Sequence, residues 1–330
     1  MDDQDLRTAL DSAVEDVEPT ARLHRIRQET RSHVRRRRAW FAAGGVSLAL
    51  ASVVTIALLT GTSSPQRAQD PAASPSPEPS TISSTYLVFY LGSGPDGPAA
   101  PADALYRARV VSPSLAEALT RSPSDPDYRT LWPSGSLGAI SVADDSGAGD
   151  IVTVALRDET LGERPAEMSA QEARLALQQI VYSVQAAFDT RAGVLFEWPD
   201  GSAAETVYGA PADLVEAAPA LEVLSHMSID QPSEGATYRR DVGTFSARGR
   251  GNSFEASGSC SLQGDDGFTA GPYLATMSGW MGPRLFEWEA TVDLRDVPAG
   301  AYVFVCSTDD PTGGTEGRGT DYDTRTVVIE

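Results

Sequence analysis

The sequence predicts an α+β domain followed by an all-β sandwich, with a short cytoplasmic helical segment and a single transmembrane helix ahead of them. Three observations predict this. Trp40 to Thr60 reads WFAAGGVSLALASVVTIALLT, an uncharged run of 21 residues, about the length a helix needs to cross a hydrocarbon core of roughly 30 Å. Strand and helix signals alternate from Tyr86 to about residue 215, and beyond about His226 only strand-type alternation remains.

Composition bounds the function. The chain has 330 residues, no Lys, 26 Arg and 46 Asp plus Glu, for a net charge of -20. A hydrophobic content of 41% is enough to build cores, which excludes a wholly disordered chain. A surface this acidic repels phosphate backbones, which excludes a general nucleic-acid binder.

Residues 1–39 carry 9 Arg against 8 acids. Leu6, Leu10, Ala13 and Val17 fall on one helical stripe, Pro19 interrupts it, and Leu23 and Ile26 follow, so two short helices are expected. Their basic half suits anionic lipid, and a docking segment for a cytoplasmic partner is the alternative. Residues 40–60 are the membrane span. Burying one Arg at mid-membrane costs roughly 2.5–3.5 kcal/mol, and no Arg occurs from Ala39 to Gln66. Arg35, Arg36, Arg37 and Arg38 abut the run on its N-terminal side, so the N-terminus is expected in the cytoplasm and the bulk outside. A cleaved signal peptide fits less well, because 39 residues is long for the leading region and the run exceeds the usual apolar core. No Cys lies near its end to take a lipid.

Residues 61–85 form a Pro/Ser-rich linker. Thr62 to Thr85 holds five Pro and ten Ser or Thr in 24 residues, too little apolar area to offset the entropy of folding, so an extended spacer is expected. From there to the end, 17 Arg face 38 acids, counted from residue 62.

Residues 86–215 are the α+β domain. Tyr86 to Leu91 (YLVFYL) reads as a buried strand and Tyr106 to Val111 as a second. Ser114 and Glu117 have capping-box spacing ahead of a short helix. Ala139 to Val142 and Ile151 to Leu156 alternate as a hairpin across DDSGAGD. Ser169 and Glu172 open the clearest helix, with Ala173, Leu177, Ile180, Val184 and Phe188 on one stripe and Gln171, Arg174, Gln178 and Gln185 facing away. Val194 to Trp198 supplies a strand that ends at Pro199, Asp200 and Gly201.

Residues 226–330 are the sandwich. Phe254, Ala256, Gly258, Cys260 and Leu262 alternate with polar neighbours, as do Phe286, Trp288, Ala290, Val292 and Leu294. Six or seven short strands in about 105 residues point to an immunoglobulin-like β-sandwich. Cys260 and Cys306 are the only cysteines. In an oxidising exterior they form one internal bridge, worth about 4 kcal/mol on the chain-entropy view; two buried free thiols are the alternative.

These residues carry a resemblance. YLVFYL, DPDYRTLWP at 125–133, IVTVAL, the helix LALQQIVYSVQAAF and the strand before PDG are together similar to the GerMN domain. SIDQPSEGATY, NSFEASGS, VPAGAYVFVCS and DYDTRTVVIE resemble the immunoglobulin-like domain of bacterial spore germination. The segment LRTALDSAVEDVEPTARLHRIR resembles N-terminal tails of actinobacterial membrane proteins. The tandem implies an anchored envelope protein of germination-linked type and supplies no catalytic residue to carry over. Two departures stand out: a membrane helix with no lipid-accepting Cys, and VYGAP at 207–211 where a Trp-containing turn is commoner.

His226 is the sole His beyond the membrane run, so a His-dependent hydrolase is not expected, and nothing selects a carboxylate pair for sugar hydrolysis. Three acidic loops carry the ligand types of Ca²⁺ sites without EF-hand spacing: Asp144, Asp145 and Asp150; Asp265 and Asp266; and Asp309, Asp310, Asp321 and Asp323. Ordinary turn chemistry explains them equally well. ARGRGN at 247–252 lacks the GK[ST] ending of a phosphate loop. Among the aromatics Tyr128, Trp132, Trp280 and Trp288, the last reads as core, and Trp132 and Trp280 are the candidate binding surface.

The expectation is therefore a non-enzymatic binding or scaffolding protein of the cell envelope. It needs no cofactor and contacts the membrane through residues 40–60. Its partner is an envelope protein or a cell-wall polymer, not nucleic acid. The alternatives are a transmembrane signalling protein coupled to a cytoplasmic regulator, and an envelope hydrolase using carboxylates.

Overall fold

Alternation along the first two strands sends apolar side chains to two faces, and both are covered, which is why YLVFYL is continuously apolar. In the computed structural model, which describes residues 83–95, 97–145, 149–280, 282–310, 315 and 317–330, β1 (Ser84–Ser93) and β2 (Asp103–Ser112) form an antiparallel hairpin with Ser84 opposite Ser112 and Ser93 opposite Asp103. Val88, Tyr90, Ala104 and Tyr106 enter one core, and Phe89, Leu91 and Leu105 enter a smaller second one. The expected membrane helix, the segment before it and most of the spacer lie outside the described residues. No helix among the described residues is long and apolar enough to cross a membrane.

Helix α1 (Leu115–Thr120) starts at Ser114, whose side chain accepts from Glu117 N at 3.2 Å. β3 (Leu137–Asp145) and β4 (Gly149–Leu156) are antiparallel, and β5 (Gly193–Glu197) joins β4 in parallel. A parallel neighbour requires a crossover, and α2 (Ala170–Phe188) supplies it. Its capping box is complete: Glu172 N donates to Ser169 Oγ at 3.0 Å, and Ser169 N donates to Glu172 Oε2 at 2.8 Å. The stripe of Ala173, Leu177, Ile180 and Val184 is buried as its period requires, whereas Phe188, at the helix end, is exposed. Gln178 and Gln185 depart from the expectation that they face solvent. Both are buried and hydrogen-bonded, Gln178 Nε2 to Glu216 O at 3.0 Å and Gln185 Nε2 to Ala192 O at 3.0 Å, because α2 is covered on its second side by the core that holds Leu175 and Tyr182. A small hairpin, β6 (Thr206–Val207) and β7 (Ala210–Pro211), turns through Tyr208 and Gly209 at φ of 52° and 66°. A short helix, α3 (Ala220–Val223), leads onward.

The remaining strands are β8 (Met227–Gln231), β9 (Ala236–Tyr238), β10 (Thr244–Gly251), β11 (Ser257–Gly264), β12 (Thr269–Met277), β13 (Phe286–Asp293), β14 (Gly300–Thr308) and β15 (Tyr322–Ile329). They hydrogen-bond in the order β8-β10-β13-β12-β11-β14-β15-β9, antiparallel except for β15 with β9. β12 and β13 meet through only two residue pairs, Thr276 with Glu289 and Met277 with Trp288. Across the core, β8 packs against β14 and β15, so the ribbon folds over as a sandwich around Met227, Ile229, Leu262, Trp288 and Phe304. Cys260 and Cys306 are disulfide-bonded. They lie directly opposite on β11 and β14, so the bridge ties neighbouring strands of one layer. The two domains belong to one compact unit, Ser76–Glu330.

Candidate functional site

The joint between the domains is built around one guanidinium. Arg325 on β15 is almost fully buried, a position a charge holds only when paired and hydrogen-bonded. Its Nη1 donates to Asp125 Oδ2 at 2.8 Å and to Asp323 Oδ1 at 2.9 Å, and its Nη2 donates to Ile229 O at 2.7 Å. The guanidinium carbon lies 5.0 Å from the Tyr128 ring centroid. The Tyr128 hydroxyl donates to Asp323 Oδ1 at 2.7 Å, and Ile229 N donates to Asp323 Oδ2 at 2.6 Å. Burial works against the Arg325 charge, but Asp323, Tyr128 and Asp125 outweigh it and hold its pKa above the ordinary value. Burial pushes the Asp323 carboxyl up, and it pushes Asp125 to about 6 against the pull of Arg325. Asp125 and Tyr128 belong to the first domain and the rest to the second.

A second lock lies beside it. Arg318 donates to both carboxylate oxygens of Asp321 at 2.8 and 3.0 Å and to the carbonyls of Leu221 and Leu224. His226 N donates to Asp321 Oδ1 at 3.0 Å, and its ring Nε2 donates to Leu221 O at 3.0 Å. Burial lowers the His226 pKa, which keeps the ring neutral near pH 7.

On the other side of the joint a groove opens between β2 and the outer face of β10 and β13. It comprises adjoining cavities of about 670 and 550 Å³ that share Arg107, Arg250, Ser278 and Glu287. Strand alternation explains its charge. On β10, Phe245 and Ala247 point inward, and Arg248 and Arg250 outward. Glu289 and Glu287 stand opposite them on β13, giving ion pairs of 3.0 and 2.6 Å. Gly249, between the two arginines, admits β8, since a Cβ there would meet Ser228 O at 1.9 Å. From the first domain, β2 contributes Arg107 and Arg109. Arg107 Nε lies 2.9 Å from Asp230 Oδ1 of β8, half-buried on both sides. Burial pushes the Arg107 pKa down and the Asp230 pKa up, so each carries its charge at a cost that the other offsets only in part. Arg191 and Arg284 complete the lining. Six arginines thus face three carboxylates in a protein of net charge -20.

Of the residues singled out from sequence, Trp280 lies on the surface, 56% exposed, in an edge-to-face contact with exposed Phe254 at 6.3 Å. Phe254 precedes β11 and does not continue its inward face. Trp132 is a correction. It is 1% exposed, its Nε1 donates to Ala176 O at 2.9 Å, and its ring stacks on Phe196, because the loop after α1 folds under α2. Tyr128 is likewise buried, in the joint, and Trp288 is core.

The candidate metal group is corrected too. Asp321 and Asp323 are buried and engaged by Arg318 and Arg325. Asp309 accepts from Ser257 Oγ at 3.1 Å, and Asp310 is also engaged. No group of three or more His, Cys, Asp or Glu among the described residues is arranged to hold a metal ion. Asp266 accepts from Phe268 N at 2.9 Å in a turn, and the side chains of Asp144, Asp145 and Asp150 lie outside the described residues.

The groove itself was not singled out from sequence, although Arg-Ala-Arg at 107–109 and Arg-Gly-Arg at 248–250 carry its signal. On a strand, residues two apart share a face.

With this geometry in place, the comparisons are informative. Residues 88–204 match the Germane family, described as sporulation and spore germination. Residues 226–315 match Gmad2, the immunoglobulin-like domain of bacterial spore germination. Both matched families carry descriptions that refer to spore germination. Arg325 lies just beyond the second match, and its network reaches Asp125 within the first and Ile229 within the second. No curated protein and no solved structure matches the chain.

Proposed function

We propose that the chain is a non-catalytic binding or scaffolding protein of the bacterial cell envelope. Residues 40–60 anchor it, residues 1–39 stay in the cytoplasm, and the spacer of residues 61–85 carries the two germination-related domains outside. The observation that carries this reading is the buried joint, whose Arg325 network draws residues from both domains. It joins them through buried contacts beside the groove between them, whose walls come one from each domain. The disulfide supports an oxidising exterior. His226, the one His beyond the membrane run, has its ring tied to Leu221 O, which leaves it poorly placed to serve a nucleophile. The partner is an envelope protein or a cell-wall polymer.

The test is crosslinking in living cells from a photoreactive residue placed at position 109, on the groove rim. Recovery of an envelope component through that residue is the expected result, and recovery of nothing overturns the reading. A reporter fused after Glu330 checks the compartment: activity confined to the cell interior removes it.

A further inference from the structure

We infer that the groove between the domains holds an anionic saccharide chain. Its charged groups sit on the strand-borne arginines, and a sugar ring lies against the aromatic pair Trp280 and Phe254. This deepens the binding function proposed above and rests on it.

The arginines are arranged as rails. Arg107 and Arg109 are two apart on β2, and Arg248 and Arg250 two apart on β10, so within each pair the cations repeat at about 7 Å along the strand. Such a repeat fits an extended ligand with recurring charges better than one compact anion. Guanidinium forks bind phosphate and carboxylate alike through paired donors. The present partners of Arg248 and Arg250 are exposed cross-strand glutamates. Pairs of that kind contribute little to stability, so a ligand anion displaces them at small cost. The negative charge of the rest of the molecule repels polyanions in general, which confines their binding to this cleft.

The aromatic pair is an independent observation. Trp280 and Phe254 are 56% and 52% exposed and meet edge to face. Asn252 Nδ2 donates to Gly282 O and to Arg284 O at 2.8 Å each, and Ser278 and Arg284, which flank the tryptophan in sequence, both line the groove. A solvent-facing indole two residues from Ser278, which lines the cation-rich cleft, offers an apolar plate for the face of a pyranose. On the wall formed by β10 and β13 a peptide joining as an extra strand finds no edge, because each of those strands has a neighbour on both sides.

The purified full chain is titrated at low and at physiological salt with five probes: phosphomannan, polygalacturonate, neutral dextran, inorganic polyphosphate and polyglutamate. The expected result is salt-sensitive binding of phosphomannan or polygalacturonate, whichever bears the matching anion, without binding of dextran. The double variant Arg109→Ala/Arg248→Ala is expected to lose about tenfold or more in affinity. Trp280→Ala and Phe254→Ala each weaken the glycan and leave polyphosphate unchanged, with unfolding midpoints unaltered because both side chains are exposed. Binding of polyphosphate or polyglutamate as tight as that of the glycans, and indifferent to Trp280→Ala, overturns the saccharide assignment. Failure of both anionic glycans to bind overturns it as well. In that case protein captured in cells through position 109 preserves the binding function while removing this ligand class, and capture of nothing removes both.

Discussion

At the scale of single residues the strongest commitment is Arg325. Two buried carboxylates, a phenol and a backbone carbonyl depend on its charge, so its removal leaves the carboxylates uncompensated. Arg325→Met is expected to cost about 3–5 kcal/mol in urea unfolding at neutral pH. A loss within error of zero shows that Asp125 and Asp323 are already neutral. The same network sets a pH dependence. Burial raises Asp125 to about 6 from its ordinary 3.8, so between those values the folded protein holds a proton that the unfolded chain has released. The contribution of Asp125 is therefore full below about pH 3.8 and fades as pH rises through about 6. Asp125→Asn, which is permanently neutral and similar in shape, is expected to flatten that part of the stability profile and leave the rest unchanged. An identical profile in the variant assigns the slope to other groups. None of this was legible in the sequence, where DYDTRT reads as a polar strand. Burial of a charge is decided by what folds over it, and the cover comes from residues 125–128, about 200 positions away.

At the scale of elements, much was legible, because short-range rules decide it. The capping box at Ser169 and Glu172 is complete, and Ser169→Ala is expected to cost about 1 kcal/mol, read as a lowered unfolding midpoint with unchanged helix content. The inward and outward alternation of β13 was also readable. Gln178 and Gln185 were misplaced, since periodicity reveals a stripe but not a second covering layer. Trp132 was misplaced for a related reason: a large aromatic in a loop looks available until the helix above it is known. The arginine rails are not legible locally: Tyr106 to Val111 reads as a strand without revealing what its outer face meets, and ARGRGN has too few apolar residues to signal one. Gly249 is an example. As a letter it suggests a flexible loop, whereas in β10 it is where the Ser228 carbonyl crosses, 1.9 Å from any added Cβ. Gly249→Ala is therefore expected to destabilise the sandwich by about 1–3 kcal/mol and to weaken ligand binding through displacement of Arg248 and Arg250. A variant with native stability contradicts the close approach.

At the scale of the molecule, the question is whether two family domains fold as one body. Domains joined by a modest interface move relative to one another by default, but here the interface contains buried ions whose separation exposes unpaired charge on both sides. The linker reinforces it: Ser225 N donates to Leu105 O at 2.9 Å, which ties β2 to the segment leading into β8. Stability lost in one domain is then felt in the other. The disulfide provides the means to show it, since it lies wholly within the second domain, at a sequence separation of 46. Replacing both cysteines by alanine removes about 4 kcal/mol of chain-entropy stabilisation from that domain. Hydrogen exchange is expected to accelerate in parallel at α2 of the first domain and at β11 and β14, because the slowest amides open only with the whole cooperative unit. In an Arg325→Met background the acceleration is expected at β11 and β14 alone. Were α2 to keep its protection after the cysteines are replaced in the otherwise native chain, the domains would be independent and the groove between them would not be a fixed site.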